Sequence, residues 1–138
     1  MANKTIKDFS AKMRNLDLCM MTTLSKEGEL HSRPMSNNGD VEYDGNSYFF
    51  TYEDSKVIEE LTANPELNLS FEGNDKLFIS LQGTAEIIKN KEELKEHWQE
   101  DLKQWFKEGV ETPGITMIQV KASKIKYWQE MEMEEIEL

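Results

Sequence analysis

Cysteine is nearly absent from this sequence: Cys19 stands alone among 138 residues. A lone cysteine forms no internal disulfide and offers no cysteine framework for a structural metal. A reducing cytoplasm is therefore the expected compartment. Histidine is scarce too, with only His31 and His97, and neither a CxxC nor an HExxH pattern occurs, so no metal site is expected. Long apolar runs are missing. Nothing approaches the roughly 20 residues of a membrane helix, and the stretch from Met1 to Lys12 is polar and mixed in charge, without the apolar core of a secretory signal. Positive charge is in deficit, with 16 Lys and Arg against 27 Asp and Glu and a net charge of −11. That balance excludes broad binding to nucleic acid, because phosphate contacts need clustered Lys and Arg. Neither a P-loop nor a Ser/His/Asp set is visible.

What is present is the mixture of a globular chain, 38% hydrophobic and 31% charged. Its length fits one domain spanning 1–138, since two independent cores would each be small. The acid is unevenly spread. Five glutamates fall in the tail, Glu130, Glu132, Glu134, Glu135 and Glu137, whereas Leu30 to Met35 has none and carries Arg33. An acidic protein that binds an anion needs such a local island of positive charge.

The patterning alternates short strands with few helices. Ile6, Phe9 and Met13 recur at helical spacing behind a Thr5/Asp8 capping box, which predicts a helix at about 4–14. Leu18 to Leu24 reads as a buried strand, Ser25 to Gly28 as a hairpin turn, and Leu30 to Ser36 as its partner. Pro34 donates nothing to a ladder, so that partner belongs at an edge or a bulge. After a polar turn at Asn37 to Asp40, a second hairpin is expected, with Val41–Tyr43 and Ser47–Tyr52 flanking Asp44-Gly45-Asn46. A helix at about 55–62 ends at Asn64-Pro65. Leu67 to Phe71 and Leu77 to Ile88 follow as strands, the second interrupted by Gly83, which suggests a bulge or sharp bend. Asn90 with Glu93 forms another capping box, opening a helix at about 91–107 with the stripe Leu94, Trp98, Leu102, Trp105 and Phe106. Ile115 to Trp128 is the last strand, and Met131 and Met133 alternate with glutamates as a peripheral strand or frayed tail. About six or seven strands with a turn every ten residues or so point to a closed or half-closed antiparallel barrel with peripheral helices.

Two places combine a backbone irregularity with a cation. Ser32-Arg33-Pro34-Met35 offers the planar fork of Arg33, which suits phosphate oxygens. At Thr51 to Lys56 a strand hands over to a helix, whose N-terminus presents unpaired N–H groups and partial positive charge. Ser55 adds a hydroxyl there and Lys56 a full charge. The bland alternative is that Asp54 caps the helix and Lys56 is a solvated first-turn residue. His31 lies on a strand and His97 on a helix, and Cys19 reads as an inert buried strand residue.

In their order and spacing, Ser32-Arg33-Pro34-Met35, Phe49-Phe50-Thr51 and Ser55-Lys56, with the late Tyr127-Trp128 pair, resemble the FMN-binding segments of the pyridoxamine 5′-phosphate oxidase-like split barrels, and most closely their general stress protein branch. The resemblance runs from about Leu16 to Trp128. It implies an antiparallel Greek-key split β-barrel and a homodimer with the flavin at the subunit interface. Arg33, Ser55 and Lys56 would hold the FMN phosphate. Backbone around Pro34 and Met35, and around Phe50 and Thr51, would meet the ring and ribityl chain, and Trp128 or Trp105 of a second subunit would cover the flavin. FAD in place of FMN is compatible with the same segments, and related split barrels also take haem or a deazaflavin.

The match departs from the oxidases at two points. Phe78 stands where they place a glutamine, and the chain ends in acidic Glu130 to Leu138, without the Arg- and His-bearing segment that grips a phosphorylated vitamin. Pyridoxamine phosphate oxidation is thus not expected, and no catalytic residue is assigned. The leading expectation is a flavin-dependent oxidoreductase. A non-catalytic flavin store or sensor, and a cofactor-free acidic dimeric module, are the rivals.

Overall fold

The computed structural model describes residues 6–13, 16, 18–36 and 43–138. Among these residues seven strands, β1 (Leu18–Leu24), β2 (Leu30–Ser36), β3 (Asn46–Tyr52), β4 (Glu66–Glu72), β5 (Leu77–Ile88), β6 (Ile115–Gln129) and β7 (Glu132–Glu137), form one antiparallel sheet. Its order is β2-β1-β4-β5-β6-β3, with β7 also on β6. The curled sheet is not closed: among the described residues β2 and β3 are its two ends, so the barrel is split. Among the described residues three α-helices accompany it, α1 (Ile6–Met13), α2 (Lys56–Ala63) and α3 (Lys91–Glu96).

The β1–β2 turn forms as the sequence suggests. Gly28 takes φ +83°, a left-handed conformation that favours glycine, and Ser25 closes the loop by accepting from Glu29 through its Oγ (3.1 Å). Pro34 lies on the terminal strand β2, where its missing N–H costs no ladder bond.

The bend of the long strands has a specific cause. Gly83 pairs with Ala122 while Gln82 pairs with Lys124, so Ser123 is an extra residue in β6. Before the bulge Ile118, Val120 and Ala122 face the core, and after it Ile125 and Tyr127 do. One added residue thus moves the inward set from even to odd positions, as a two-residue side-chain period requires. A Cβ on Gly83 would lie 2.6 Å from the Lys121 carbonyl oxygen and 2.9 Å from Val120 Cγ1, so only glycine lets the backbones approach this closely.

The main core fills the inner face with Met21, Phe49, Leu69, Leu81, Ile118 and Ile125, each fully buried, and α1 adds Phe9, whose ring centroid lies 5.4 Å from that of Tyr127. A second cluster of Ile88, Leu94, Phe106, Ile115 and Met117 lies where residues 91–111 cover the outer side of β3 and β6.

Several elements differ from the sequence expectation. The helix expected at 91–107 ends at Glu96, and two 3₁₀ turns, Glu100–Gln104 and Gly109–Glu111, replace its remainder. The reason lies in β3. His97 stacks on Tyr48 (3.6 Å between ring centroids) and Trp98 meets Phe50 edge-on (5.3 Å). Tyr48 and Phe50 stand about 7 Å apart on one strand face, whereas neighbours in a helix advance 1.5 Å along the axis. Meeting both rings takes the chain out of the helix, and Gln99 is accordingly extended (φ −122°, ψ 134°).

The second hairpin differs at Tyr43, the one described residue of its expected first arm. β3 pairs with β6, and Tyr43 is not in a strand; its N–H bonds to Ser10 Oγ of α1 (3.1 Å) and its ring packs on Phe9. Val41, Glu42, the Asn37–Asp40 turn and Thr5 of the first capping box lie outside the described residues. The tail is the peripheral strand β7, not a frayed end.

Candidate functional site

On β2 the side chains alternate, so His31, Arg33 and Met35 face inward, opposite Thr23, Met21 and Cys19 of β1. Helix α2 packs across this end of the sheet with Val57, Ile58 and Leu61 buried. Glu60 lies on that buried face, 2% exposed, and meets three inward side chains. Its Oε1 accepts from Thr23 Oγ1 (2.6 Å) and from Arg33 Nη2 (2.9 Å), and its Oε2 pairs with His31 Nδ1. Arg33 Nη1 donates to Thr23 Oγ1 (2.7 Å) and to the Met21 carbonyl (3.3 Å). The Thr23 hydroxyl bond holds the Glu60 carboxyl down at about 2, with His31 and Arg33 adding to it and burial opposing it.

The start of α2 lies one helical turn before Glu60. Ser55 is its N-cap (φ −72°, ψ 154°) but makes no side-chain capping bond, so its hydroxyl leaves the first-turn N–H groups uncapped. Asp54, the alternative cap, is not the N-cap residue. Thr51 Oγ1 donates to Ser55 Oγ (3.2 Å). Lys56 extends to solvent, 63% exposed, with its Nζ 3.6 Å from Glu59. A cleft of about 530 Å³ opens beside this turn, lined by Lys26, Glu53, Asp54, Ser55, Glu59 and Lys89 among others.

Of the residues singled out from sequence, Arg33, Thr51, Ser55 and Lys56 gather around α2. Arg33 touches Glu60, four residues and roughly 6 Å of helix rise beyond Lys56. Met35 turns inward against the core, and Pro34 faces outward on the edge strand. The Phe50 side chain is covered by Trp98 in the second cluster. Trp128 lies elsewhere. It pairs with Phe78 and Met133, twelve residues along β6 from Thr116, the partner of Thr51. That is roughly 40 Å of strand contour. Trp105 is 52% exposed, and its carbonyl accepts from Tyr52 OH (3.2 Å).

Sequence reasoning passed over Glu60 and Thr23 and gave His31 only a marginal place. A signal was available: Glu60 falls three residues after Val57 and just before Leu61, on the apolar stripe of α2, where an unpaired acid would be costly. Among the described residues no group of three or more His, Cys, Asp or Glu side chains is placed to hold a metal, and no helix is long and apolar enough to cross a membrane.

The comparison that decides the family covers nearly the whole chain: residues 4–136 match the pattern of the pyridoxamine 5′-phosphate oxidase-like proteins. The chain belongs to that family. Protein bli-3 of Neurospora crassa is 29% identical over 135 residues, covering 91% of this chain; the chain spans 65% of that relative's length. Among solved structures, General Stress Protein 26 from Bacillus anthracis superposes with a TM-score of 0.77 at 21% identity, over 96% of this chain and 98% of that one. The general stress FMN/FAD binding protein from Xanthomonas citri superposes with a TM-score of 0.75 at 20% identity, over 91% and 89%. These likenesses identify the fold as the split barrel of this family, which is what the strand pattern and the Gly83 bend had suggested.

Proposed function

We infer that this chain is a cytoplasmic FMN-binding flavoprotein, active as a homodimer, that serves as a flavin-dependent oxidoreductase. Membership of a flavin-associated family supports the cofactor class, and the X. citri neighbour is itself described as FMN/FAD binding. The observation that carries the reading for this chain is the convergence at α2. An arginine from β2 and an uncapped helix start with a serine N-cap, 22 residues apart in sequence (33 to 55), meet at one helix. Helix N-termini and arginine forks are both devices for holding phosphate. Arg33, Ser55 and Lys56 would hold the phosphate, and backbone at Pro34, Met35, Phe50 and Thr51 would meet the ribityl chain and ring. When bound, the flavin supplies the hydride and electron transfer; the protein's part is anchoring, orientation and exclusion of water.

Trp128 lies twelve residues along β6 from Thr116, the partner of Thr51, so its role over the flavin would be as a residue from the second subunit. The outer face around it is apolar: Phe78 and Met133 flank it in direct cross-strand register, 48% and 50% exposed.

The test is titration of wild type, Arg33→Ala and Lys56→Ala with FMN and with riboflavin, with thermal melting as the control on folding. Each charge-assisted contact contributes roughly 1.5–3 kcal/mol, so each change should weaken FMN binding about ten- to a hundredfold and hardly alter riboflavin. A folded double variant that binds FMN like wild type rejects the site. Bleaching of the bound flavin by NADH or NADPH separates an oxidoreductase from a flavin store.

One observation favours a cofactor-free acidic module instead: Arg33 is already paired with Glu60 and Lys56 with Glu59. A colourless purified protein that rejects added FMN and FAD would support that second reading.

A further inference from the structure

Of the two glutamates in α2, Glu59 faces solvent and Glu60 is buried. A buried carboxylate is costly unless fully paired, and an apolar residue at this position would pin the helix to the sheet without that cost. The geometry around Arg33 gives the carboxylate a purpose. A guanidinium has five N–H donors. Here both Nη1 hydrogens go to Met21 O and Thr23 Oγ1, and one Nη2 hydrogen goes to Glu60 Oε1. The Thr23 hydroxyl itself donates to Glu60 Oε1 (2.6 Å), so the two acceptors are locked together at one end of the fork. The Nε hydrogen and the second Nη2 hydrogen have no protein partner among the described residues. They lie along the other edge of the plane, spaced to take two oxygens of one anion.

We propose that Glu60, acting with Thr23, is a positioning residue that grips the Nη1/Nη2 end of Arg33 and leaves its Nε/Nη2 edge to bind the flavin phosphate in bidentate fashion. The proposal rests on the reading that the phosphate lies at Arg33. It sets aside the opposite role, in which Glu60 competes with the phosphate for the same charge. The two roles make opposite forecasts. Without the grip a long side chain loses its orientation, and the advantage of a pre-set fork is lost. Without a competitor, the fork would bind phosphate more tightly.

The experiment compares FMN and riboflavin affinity in Glu60→Ala, Glu60→Gln, Thr23→Val and Thr23→Ser, with each variant's fold checked by thermal melting. Glu60→Ala and Thr23→Val remove an acceptor and should each weaken FMN about tenfold, the worth of one lost hydrogen bond. Glu60→Gln and Thr23→Ser keep an oxygen there and should bind FMN at least about as well as wild type. Riboflavin should be unchanged throughout, which a merely structural role in holding α2 would not produce. If Glu60→Ala does not fold, the near-isosteric Thr23→Val carries the comparison. Alanine and valine variants that bind FMN as tightly as wild type, or more tightly, overturn the proposal while Arg33→Ala still loses FMN. A wild type that holds FMN no better than riboflavin overturns the phosphate reading itself, and this proposal with it.

Discussion

Among single residues, Glu60 couples the protein's stability to acid. Its carboxyl falls from the ordinary 4.5 to about 2 in the folded protein, chiefly through the Thr23 hydroxyl, with His31 and Arg33 reinforcing it against the effect of burial. A depressed folded value means that the unfolded chain takes up the proton first. The stabilisation from this group is therefore complete above about pH 4.5 and is lost as pH falls through about 2. Glu60→Gln should lower stability at neutral pH and flatten the acid limb between those values, by an amount seen as the difference between the two unfolding profiles. The measurement is chemical denaturation of both proteins from pH 7 down to pH 2. Parallel curves across that window would show that Glu60 is not ionised and paired as described. Removing Thr23 as donor, in Thr23→Val, should move the same limb in the same direction.

At the scale of elements, the fold was largely legible because its decisive features are local. Pro34 lacks an N–H and so belongs on an edge strand, and it lies on β2, a terminal strand. Gly83 interrupts a strand and so marks a bend, and it faces the bulge at Ser123. What was not legible depends on partners distant in sequence. The pairing of β3 with β6 is a long-range one that no turn signal encodes. The break after Glu96 follows from Tyr48 and Phe50, which lie on another element entirely. The same limit applied to the site: Arg33 and Lys56 could be named from their neighbours in sequence, whereas the Thr23–Glu60–Arg33 linkage joins three elements. The bulge itself makes a sharp prediction. Adding one residue between Ser123 and Lys124, with the single-residue bulge kept, would turn Lys124 and Lys126 inward in place of Ile125 and Tyr127. Two lysines cannot be buried there without partners, so the insertion variant should fail to fold, read by loss of its cooperative thermal transition. An insertion of one residue at the Lys26-Glu27 turn, where Lys26 and Glu27 are exposed, is the control and should be tolerated far better.

For the whole molecule, the outer face of the sheet is the feature that a lone chain leaves unexplained. Leu18 and Met20 of β1, Phe78 of β5 and Met133 of β7 are 65%, 43%, 48% and 50% exposed, with Trp128 half-buried between the last two. Apolar groups clustered on a soluble surface mark an interaction site, and the proposed shared flavin site needs a second copy to deliver Trp128. Each chain carries a net charge of −11, so two copies repel one another at long range. Salt screens that repulsion over about 10 Å at 0.1 M and leaves apolar contact intact. Dimerisation should therefore strengthen as salt rises from about 10 mM to about 150 mM, opposite to an interface held by ion pairs. Phe78→Glu sets a new charge beside Trp128 in the centre of the patch and should shift sedimentation to a 16.1 kDa monomer at micromolar concentration, with little change in melting of the monomer fold. If the cofactor site is shared, FMN affinity should fall together with the dimer in that variant, although Phe78 lies three strands across the sheet from Arg33. A wild type that sediments only as a 16.1 kDa monomer across this range of salt would exclude both the dimer and the shared site.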